Sequence, residues 1–358
     1  MSPSTYAMFS DRAVAFAFVV YGLAALAYLA EWAQSRLGER PRRPEPEPKA
    51  NWESGRVGEL SGRVGVALTA AAALIHAAAL ISRGLAADRV PWGNMYEFAL
   101  AGSFAAVALY LALSLALRMR WLGLPLSFLV LATLMTAALT LYVPAGPLVP
   151  ALQSFWLVIH VIAAIIATGA FTLGTLTSIL YLGQQRRERK SLDAPRATRA
   201  SNGDHDEARA PSPLTPTIGR RAHSISNRSA ATDIVPAGDA GPRDETATRG
   251  NRLPPADVID LVTYRIHAFA FPVWTFAALI AGPIWAKYAW GRYWAWDPKE
   301  VWAFISWVVY AAYLHARATA GWGGRRSAVV ALIGFATILF NFIGINLFGG
   351  GLHSYAGL

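Results

Sequence analysis

Long apolar runs constrain this chain more than any other feature of its sequence. A helix needs roughly 20 predominantly apolar residues to cross the hydrocarbon core of a membrane, and eight runs reach or approach that length. Backbone polar groups in lipid must be hydrogen-bonded internally, so such runs predict helices. We therefore predict an all-α integral membrane protein with about eight transmembrane helices, at residues 13–33, 64–82, 95–117, 121–143, 155–182, 268–288, 300–316 and 327–348.

Lysine and arginine residues are distributed unevenly between the two sides that these spans define. Alternate loops, at 34–63, 118–120, 183–267 and 317–326, carry 26 of the 32 basic residues. This bias is typical of the cytoplasmic side, so it predicts a multi-pass membrane protein with both termini outside. The formal net charge of +10 is explained by this topology and does not indicate nucleic-acid binding.

Two polar stretches interrupt the apolar pattern. Residues 186–255 are rich in Arg, Asp, Ser, Pro and Gly, a composition that cannot bury enough apolar surface to fold alone, and they are predicted to form a disordered cytoplasmic linker. Residues 36–50 are predicted to form an extended Pro-rich connector. The predicted organisation is an N-terminal span with its connector (1–63), spans two to five (64–185), the linker (186–255), and spans six to eight (256–358) with an external Trp-rich loop at 285–300.

The stretch 285–307 reads WAKYAWGRYWAWDPKEVWAFISW and is unusually rich in Trp. An interfacial aromatic belt is the simplest interpretation, but the density here exceeds what a belt needs. Gly291 is predicted to end one helix, and Asp297, Pro298 and Glu300 to cap the start of the next. The Trp residues between them then lie on a short external loop, where apolar surface indicates a binding site for a flat, largely apolar ligand.

Ionisable residues in membrane spans are costly and usually functional. His160 and His353 lie on the same predicted side as the Trp-rich loop, and two neutral imidazoles across such a platform suit the axial positions of a haem iron; the alternative for each is an interfacial side chain. His315 lies at the inner end of span seven, either as an interfacial residue or as a ligand at an entry site. His267 is predicted to be interfacial, and His76 to bond to a neighbouring helix.

The chain has no cysteine. A thiol nucleophile, a disulfide, a CxxC redox pair and an iron–sulfur cluster are therefore excluded. Any chemistry must depend on His, acidic or aromatic side chains, or on a bound ligand.

The pattern Trp290-Gly291-x-x-Trp294-x-Trp296-Asp297-x-x-Glu300 resembles the tryptophan-rich WWD signature of haem-handling proteins. WDPKEVWAFISWVVYAAYLHAR at 296–317, followed by GLHSYAG at 351–357, resembles the CcsA (ResC) family of the System II cytochrome c maturation pathway. VPWGNMYEF at 90–98 and LQSFWLVIH at 152–160 also look like that family. The resemblance covers most of the chain from about residue 64.

The resemblance implies that the chain carries haem b as a transported substrate. It would present the haem on the outer face of the bacterial plasma membrane for attachment to the CxxCH motif of apocytochrome c. It would act as a subunit of a haem lyase together with a companion membrane subunit, CcsB (ResB). His160 and His353 match the two external ligands of the iron. His315 matches a membrane His near the cytoplasmic end, whose partner in this family lies on the companion subunit.

Other residues of the Trp-rich loop receive roles from the same resemblance. Trp290, Trp294 and Trp296 are expected to form the apolar wall of the haem site, and Asp297 to shape the end of the loop. Independently of the resemblance, the external cations Arg292 and Lys299 are candidates by their charge to pair with the haem propionates.

Three other functions stay open from the sequence. A b-type cytochrome in quinone electron transfer would bury bis-His haem between spans, but no predicted span carries two His at helical-turn spacing. A transporter without haem would show broken helices and polar residues at the midplane, and few are present. A structural assembly subunit would bind no haem.

Overall fold

The computed structural model of the protein describes residues 2–37, 50–117, 119–147, 152–206, 253–348 and 351–353. Within these ranges the chain contains helices and no strand. Seven helical stretches are long and apolar enough to cross a membrane: Pro3–Gln34, Val57–Ala87, Met95–Leu117, Arg120–Thr140, Phe155–Ser191, Ala256–Trp290 and Arg325–Phe348. The chain is therefore an all-α, multi-span membrane protein, and seven of the eight predicted spans are confirmed.

The helix elements of the described residues follow the chain in this order: α1 Pro3–Leu37, α2 Ala50–Ala87, α3 Met95–Leu117, a 3-10 turn Arg120–Leu122, α4 Gly123–Thr140, α5 Phe155–Asp206, α6 Ala256–Thr275, a π-helical segment Phe276–Ala281, α7 Gly282–Trp290, α8 Pro298–Thr319, α9 Arg325–Leu339, a π-helical segment Phe340–Gly344, and α10 Ile345–Phe348. Several of these helices are longer than the apolar runs that predicted them. Hydropathy marks the part of a helix that lipid covers and does not detect polar turns beyond it.

The remaining predicted span, 300–316, forms the helix α8. Its 22 residues give a length of about 33 Å at ~1.5 Å per residue, enough to cross a membrane. The helix is less apolar than the other seven because charged residues, Lys299, Glu300 and Arg317, lie near its two ends. Its crossing of the membrane stays a prediction.

The predicted linker 186–255 differs from the structure at both ends. Residues 186–206 continue helix α5. The first five of them, RRERK, are good helix formers, but propensity does not explain the continuation past Pro195. At the other end, Leu253 is buried at 7% exposure rather than solvated. Residues 207–252 lie outside the described residues, as do residues 38–49 of the predicted connector 36–50. The ends of that connector belong to α1 and α2.

Two His residues that the sequence placed in structural roles are fully buried. His76 lies within 3.5 Å of the Tyr21 hydroxyl on α1, which confirms the predicted contact with a neighbouring helix. His267 is also buried, so its predicted interfacial position is wrong. The helix that carries it begins at Ala256, about three turns earlier, and Gly174 of α5 leaves the space that the His267 ring fills.

Below the Trp-rich loop, α8 packs against both α5 and α9. The Tyr310 ring of α8 stacks on Phe171 of α5 with 3.9 Å between the ring centroids. On its other side, the Tyr310 hydroxyl donates a hydrogen bond to the Ala331 carbonyl of α9. Gly334 allows this approach, because a Cβ there would lie 2.8 Å from the Tyr310 ring. These contacts fix the helix that carries the capped end of the Trp-rich loop.

Candidate functional site

The Trp-rich loop is a short irregular connection between α7 and α8. Gly291 ends α7 in the left-handed region, with φ of 76°, which glycine adopts without steric cost. Trp296 also has a positive φ, 57°, a conformation that is strained for a side chain of this size. The loop therefore places successive Trp side chains on different faces.

Asp297 begins α8 with the capping box that the sequence predicted. Its carboxylate accepts from the Lys299 backbone N–H at 3.3 Å. The Glu300 carboxylate reaches back and accepts from the backbone N–H groups of Asp297, at 3.1 Å, and Ala295, at 2.8 Å. The cap, with Pro298 at the first helical position, is confirmed.

The same aspartate holds His353. The Nδ1 of His353 lies 2.6 Å from the Oδ2 of Asp297, and the backbone N–H of Leu352 donates to Oδ1 at 2.7 Å. Burial acts to raise the pKa of Asp297, but the hydrogen bonds from His353, Leu352 and Lys299 outweigh it and hold the pKa below its ordinary value. The ionised Asp297 carboxylate therefore links Leu352 and His353, which follow α10, to the start of α8 by hydrogen bonds.

His160, on the second turn of α5, is positioned by the π-helical segment. Its Nδ1 lies 2.9 Å from the carbonyl oxygen of Ala277, which also accepts from the backbone N–H of Gly282. A Cβ at position 282 would lie 3.1 Å from the His160 Nδ1, so glycine leaves room for the imidazole. π-helical segments frequently occur at functional sites.

Trp285 lies between the two histidines. Its ring stacks on His160 with 5.8 Å between centroids and an interplanar angle of 19°. It meets His353 edge-on at 5.6 Å and Trp290 at 4.8 Å. Trp290 in turn lies 4.9 Å from His353. Because both imidazoles contact one indole, their centroids lie at most the sum of these two distances apart, about 11 Å.

These side chains line a cavity of about 210 Å³ at the end of the bundle that carries the Trp-rich loop. The loop 92–95, α3, α5, the α6–α7 stretch, α8 and the second π-helical segment all contribute to its wall. Apolar and aromatic residues predominate, as is usual for small-molecule sites. The polar side chains in the wall include Asn94, His160, Thr168, Lys299, Glu300, Asn341 and His353.

Several predicted site residues lie at this cavity, and several do not. His160, His353, Trp290 and Trp294 line it, and Asp297 contacts it through His353. Trp296 does not line it, because its strained backbone turns the ring outward to 68% exposure.

The two candidate cations also separate. Arg292 is exposed and does not line the cavity, whereas Lys299 does. His315 is exposed on α8 near the end of the bundle opposite the Trp-rich loop, away from His160 and His353.

The structure also identifies site residues that the sequence did not assign. Trp285 was part of the Trp-rich stretch, but nothing in the pattern distinguished it from the others as the ring between the histidines. The wall formed by 92–95 rests on Glu97, whose buried carboxylate accepts from Arg83, Arg89 and the backbone N–H of Gly93. In the sequence, Glu97 could have been recognised as a candidate because it is a charged residue inside an apolar run.

Comparison with known proteins shows the family to which this chain belongs. The chain matches the family model described as Cytochrome C assembly protein over residues 92–353. It is 37% identical over 315 residues to the cytochrome c biogenesis protein CcsA of Synechococcus sp. (strain JA-3-3Ab), covering 83% of this chain and 86% of that protein. It is 35% identical over 299 residues to CcsA of Gloeobacter violaceus, covering 82% and 87%.

One solved structure is similar in fold. The cytochrome c haem lyase CcmF matches with a TM-score of 0.56 at 16% identity, over 96% of this chain and 47% of the CcmF chain. This chain therefore spans about half the length of CcmF, and at this identity the likeness shows a shared fold alone.

Proposed function

Because this chain belongs to the CcsA family of cytochrome c biogenesis proteins, we propose that it is the haem-presenting subunit of a membrane haem lyase. Its role in cytochrome c biogenesis follows from the family. The finer proposal is that haem b is carried as a substrate to the outer face of the membrane. There the cavity at the Trp-rich loop holds it for attachment to apocytochrome c.

One observation carries the proposal: both cavity histidines have Nδ1 hydrogen-bonded to an oxygen that can only accept. For His160 the acceptor is the Ala277 carbonyl, and for His353 it is the Asp297 carboxylate. A neutral imidazole that donates from Nδ1 keeps its lone pair on Nε2. Metal-ligating histidines are typically oriented in this way by a carbonyl or carboxylate behind them.

Both histidines lie close enough to Trp285 to approach one shared iron. A histidine nitrogen lies ~2 Å from a bound metal, so two axial nitrogens are about 4 Å apart. The two ring centroids are within about 11 Å of each other, with the Trp285 indole between them, so binding of one iron by both histidines requires this indole to move aside. The indoles of Trp285, Trp290 and Trp294 then pack against the macrocycle and exclude water from it.

The chemistry that follows belongs to haem and thiols. Each cysteine S–H of the CxxCH motif adds across one haem vinyl group, so that a C–S bond forms and the hydrogen is taken up by the neighbouring vinyl carbon. No electrons are gained or lost overall. The protein contributes position and orientation, and the histidine of CxxCH then replaces one of the two axial ligands.

The charge distribution supports placing this cavity outside the cell. Basic residues lie near the opposite end of the bundle, within the stretches 118–120 and 317–326. They include Arg120, Arg317, Arg325 and Arg326. Short loops rich in Lys and Arg are retained on the cytoplasmic side. The Trp-rich loop and the cavity therefore face outward in the proposed orientation.

A companion subunit is supported by one face of α8. Phe304, Val308, Ala312 and His315 follow one another at helical spacing, and all four are exposed. An imidazole facing lipid is costly, and small residues near it allow a second helix to approach closely. We infer that CcsB covers this face and that His315 contributes to an inner haem site there.

The proposal is tested by measuring haem attachment in a cell that produces this chain, CcsB and a reporter apocytochrome c. Covalently bound haem is quantified on the reporter after denaturing electrophoresis, for the parent and for His160→Gly and His353→Gly. His205→Gly, in the polar 186–255 segment, is the matched control. We expect attachment to fall at least tenfold in both cavity variants, to be restored by added imidazole, and to be unchanged in the control.

Attachment that survives both cavity substitutions would overturn the assignment of the two ligands. A parent complex that holds haem but reacts with quinol instead of attaching it would favour a b-type cytochrome. The amount of each variant in the membrane, measured with an epitope tag, separates loss of attachment from loss of the protein.

A further inference from the structure

The cavity wall contains a partly buried cation. Lys299 lies in the first turn of α8 and is the only Lys or Arg among the described residues that line the cavity. Burial lowers the pKa of its ammonium group from 10.5 to about 8, with the charge of Asp297 acting in the opposite direction. The ammonium has therefore lost much of its contact with water.

The two neighbouring acids do not compensate this charge by direct pairing. In the described part of the chain, no carboxylate lies within ion-pair distance of the Lys299 side chain. Asp297 is occupied by His353 and two backbone N–H groups. Glu300 is occupied by the N–H groups of Ala295 and Asp297. A partly desolvated cation without a paired anion is less stable than a fully hydrated one, so this position favours an incoming negative group.

Trp294 contributes a hydrogen-bond donor without an acceptor to the same wall. The indole Nε1 of Trp294 is buried and has no hydrogen-bond acceptor among the described residues. An indole N–H can donate and cannot accept. The cavity thus presents an ammonium and an N–H that both need an acceptor, and a carboxylate supplies one that is charged and has two oxygens.

We propose that Lys299 and Trp294 form a carboxylate subsite that holds a propionate of haem. This inference rests on the proposed function, since it assigns one edge of the ligand to one part of the cavity wall. Arg292, the other cation near the loop, does not share this position because it is exposed. Glu300 also lines the cavity, but its bonds to two backbone N–H groups offset part of its negative charge.

The subsite also has a consequence for specificity. The propionates occupy one edge of the macrocycle and the reactive vinyl groups occupy edges away from them. A fixed propionate therefore determines which way round haem sits between His160 and His353, and which edge stays open to the thiols of the apocytochrome. Orientation of this kind is a major source of rate enhancement in reactions that the protein itself does not chemically assist.

The test compares haem with its dimethyl ester, in which both propionates are neutral, on the full chain purified in detergent. The affinity for each is measured by absorbance titration at pH 7 for the parent, Lys299→Met and Trp294→Phe, with Arg292→Met as the control. A hydrogen bond to a charged group corresponds to roughly a tenfold change in affinity. We expect Lys299→Met to weaken haem binding by about tenfold and to leave the affinity for the dimethyl ester unchanged. Trp294→Phe should weaken haem binding less, because the indole donates a single hydrogen bond.

Equal loss of both ligands in Lys299→Met would overturn the subsite, because it would show a general effect on the cavity. Unchanged haem affinity in Lys299→Met would overturn it as well. Failure of the proposed function has a different signature, since haem would then bind the parent without depending on His160 and His353, or would not bind it. Thermal melting of each variant verifies that the compared proteins are folded.

Discussion

The substitution Asp297→Asn separates the ligand-orienting role of this residue from its role as a helix cap. Asparagine is as good an N-cap as aspartate, so α8 keeps its start. The carboxylate, however, accepts two short bonds, from His353 at 2.6 Å and from the Leu352 N–H at 2.7 Å. An amide offers one oxygen and one NH₂ group at these positions, so at least one of the two bonds is lost.

The expected magnitude follows from these contacts. Where the NH₂ group faces His353, the imidazole must accept at Nδ1 and carry its proton on Nε2, the nitrogen needed by the iron. Loss of a hydrogen bond to a charged group costs ~1.5–3 kcal/mol, which corresponds to roughly tenfold to hundredfold weaker haem binding at ~1.4 kcal/mol per factor of ten. Removing the partner behind a metal-binding histidine typically has an effect of this size.

The assay is a titration of the detergent-purified chain with ferric haem, followed by absorbance. We expect Asp297→Asn to weaken binding and to shift the spectrum away from that of a two-histidine haem, while its melting temperature stays close to that of the parent. Glu300→Gln is the matched control, because it removes a charge from the same cap without touching His353. In a His353→Gly background, Asp297→Asn should have no further effect on affinity. An unchanged affinity and spectrum in the single variant would refute the reasoning.

Three further perturbations test other parts of the account. Gly282→Ala places a Cβ 3.1 Å from the His160 Nδ1 and should weaken haem binding several-fold in a titration. The control Gly102→Ala, whose Cβ would meet nothing within 4 Å, should leave binding unchanged. Equal effects of the two substitutions would contradict the placement of His160. Glu97→Gln leaves buried arginine charge uncompensated and should cost roughly 3 kcal/mol of stability, seen as a lower melting temperature in detergent; an unchanged melting temperature would contradict it. The positive charge of Lys299 is lost as pH rises through its lowered pKa of about 8. Haem affinity should therefore fall more between pH 7 and 9 in the parent than in Lys299→Met. An equal fall in affinity in the two proteins would refute the subsite.

The transmembrane part of the fold was predictable because lipid restricts spanning segments to apolar helices. The capping box at Asp297 was predictable for a similar reason, since it depends on residues within one turn of each other. The helix α8 shows the limit of hydropathy: charges near its ends lower its apolar character although it packs along α9. The tail of α5, residues 186–206, shows a second limit, since the helix continues where composition indicated a disordered linker.

The details of the site depend on contacts between residues that lie far apart in the sequence. Asp297 and His353 are 56 residues apart, and His160 and Ala277 are 117 apart. The π-helical segment that presents the Ala277 carbonyl has the same apolar pattern as an α-helix, so periodicity does not reveal it. Trp285 lies within a helix, and only the packing of α5 and of the segment after α10 against α7 shows that it contacts both histidines.

The most direct test of the central claim, a two-histidine haem site at the Trp-rich loop, is the optical spectrum of haem bound to the complex of this chain with CcsB. The spectrum of the reduced complex is recorded for the parent, for His160→Gly and for His353→Gly, each with and without imidazole. The account predicts a bis-histidine spectrum in the parent, its loss in each variant and its return with imidazole. A bis-histidine spectrum that persists in both variants would contradict the account and would place the haem elsewhere, with His315 as the first residue to examine.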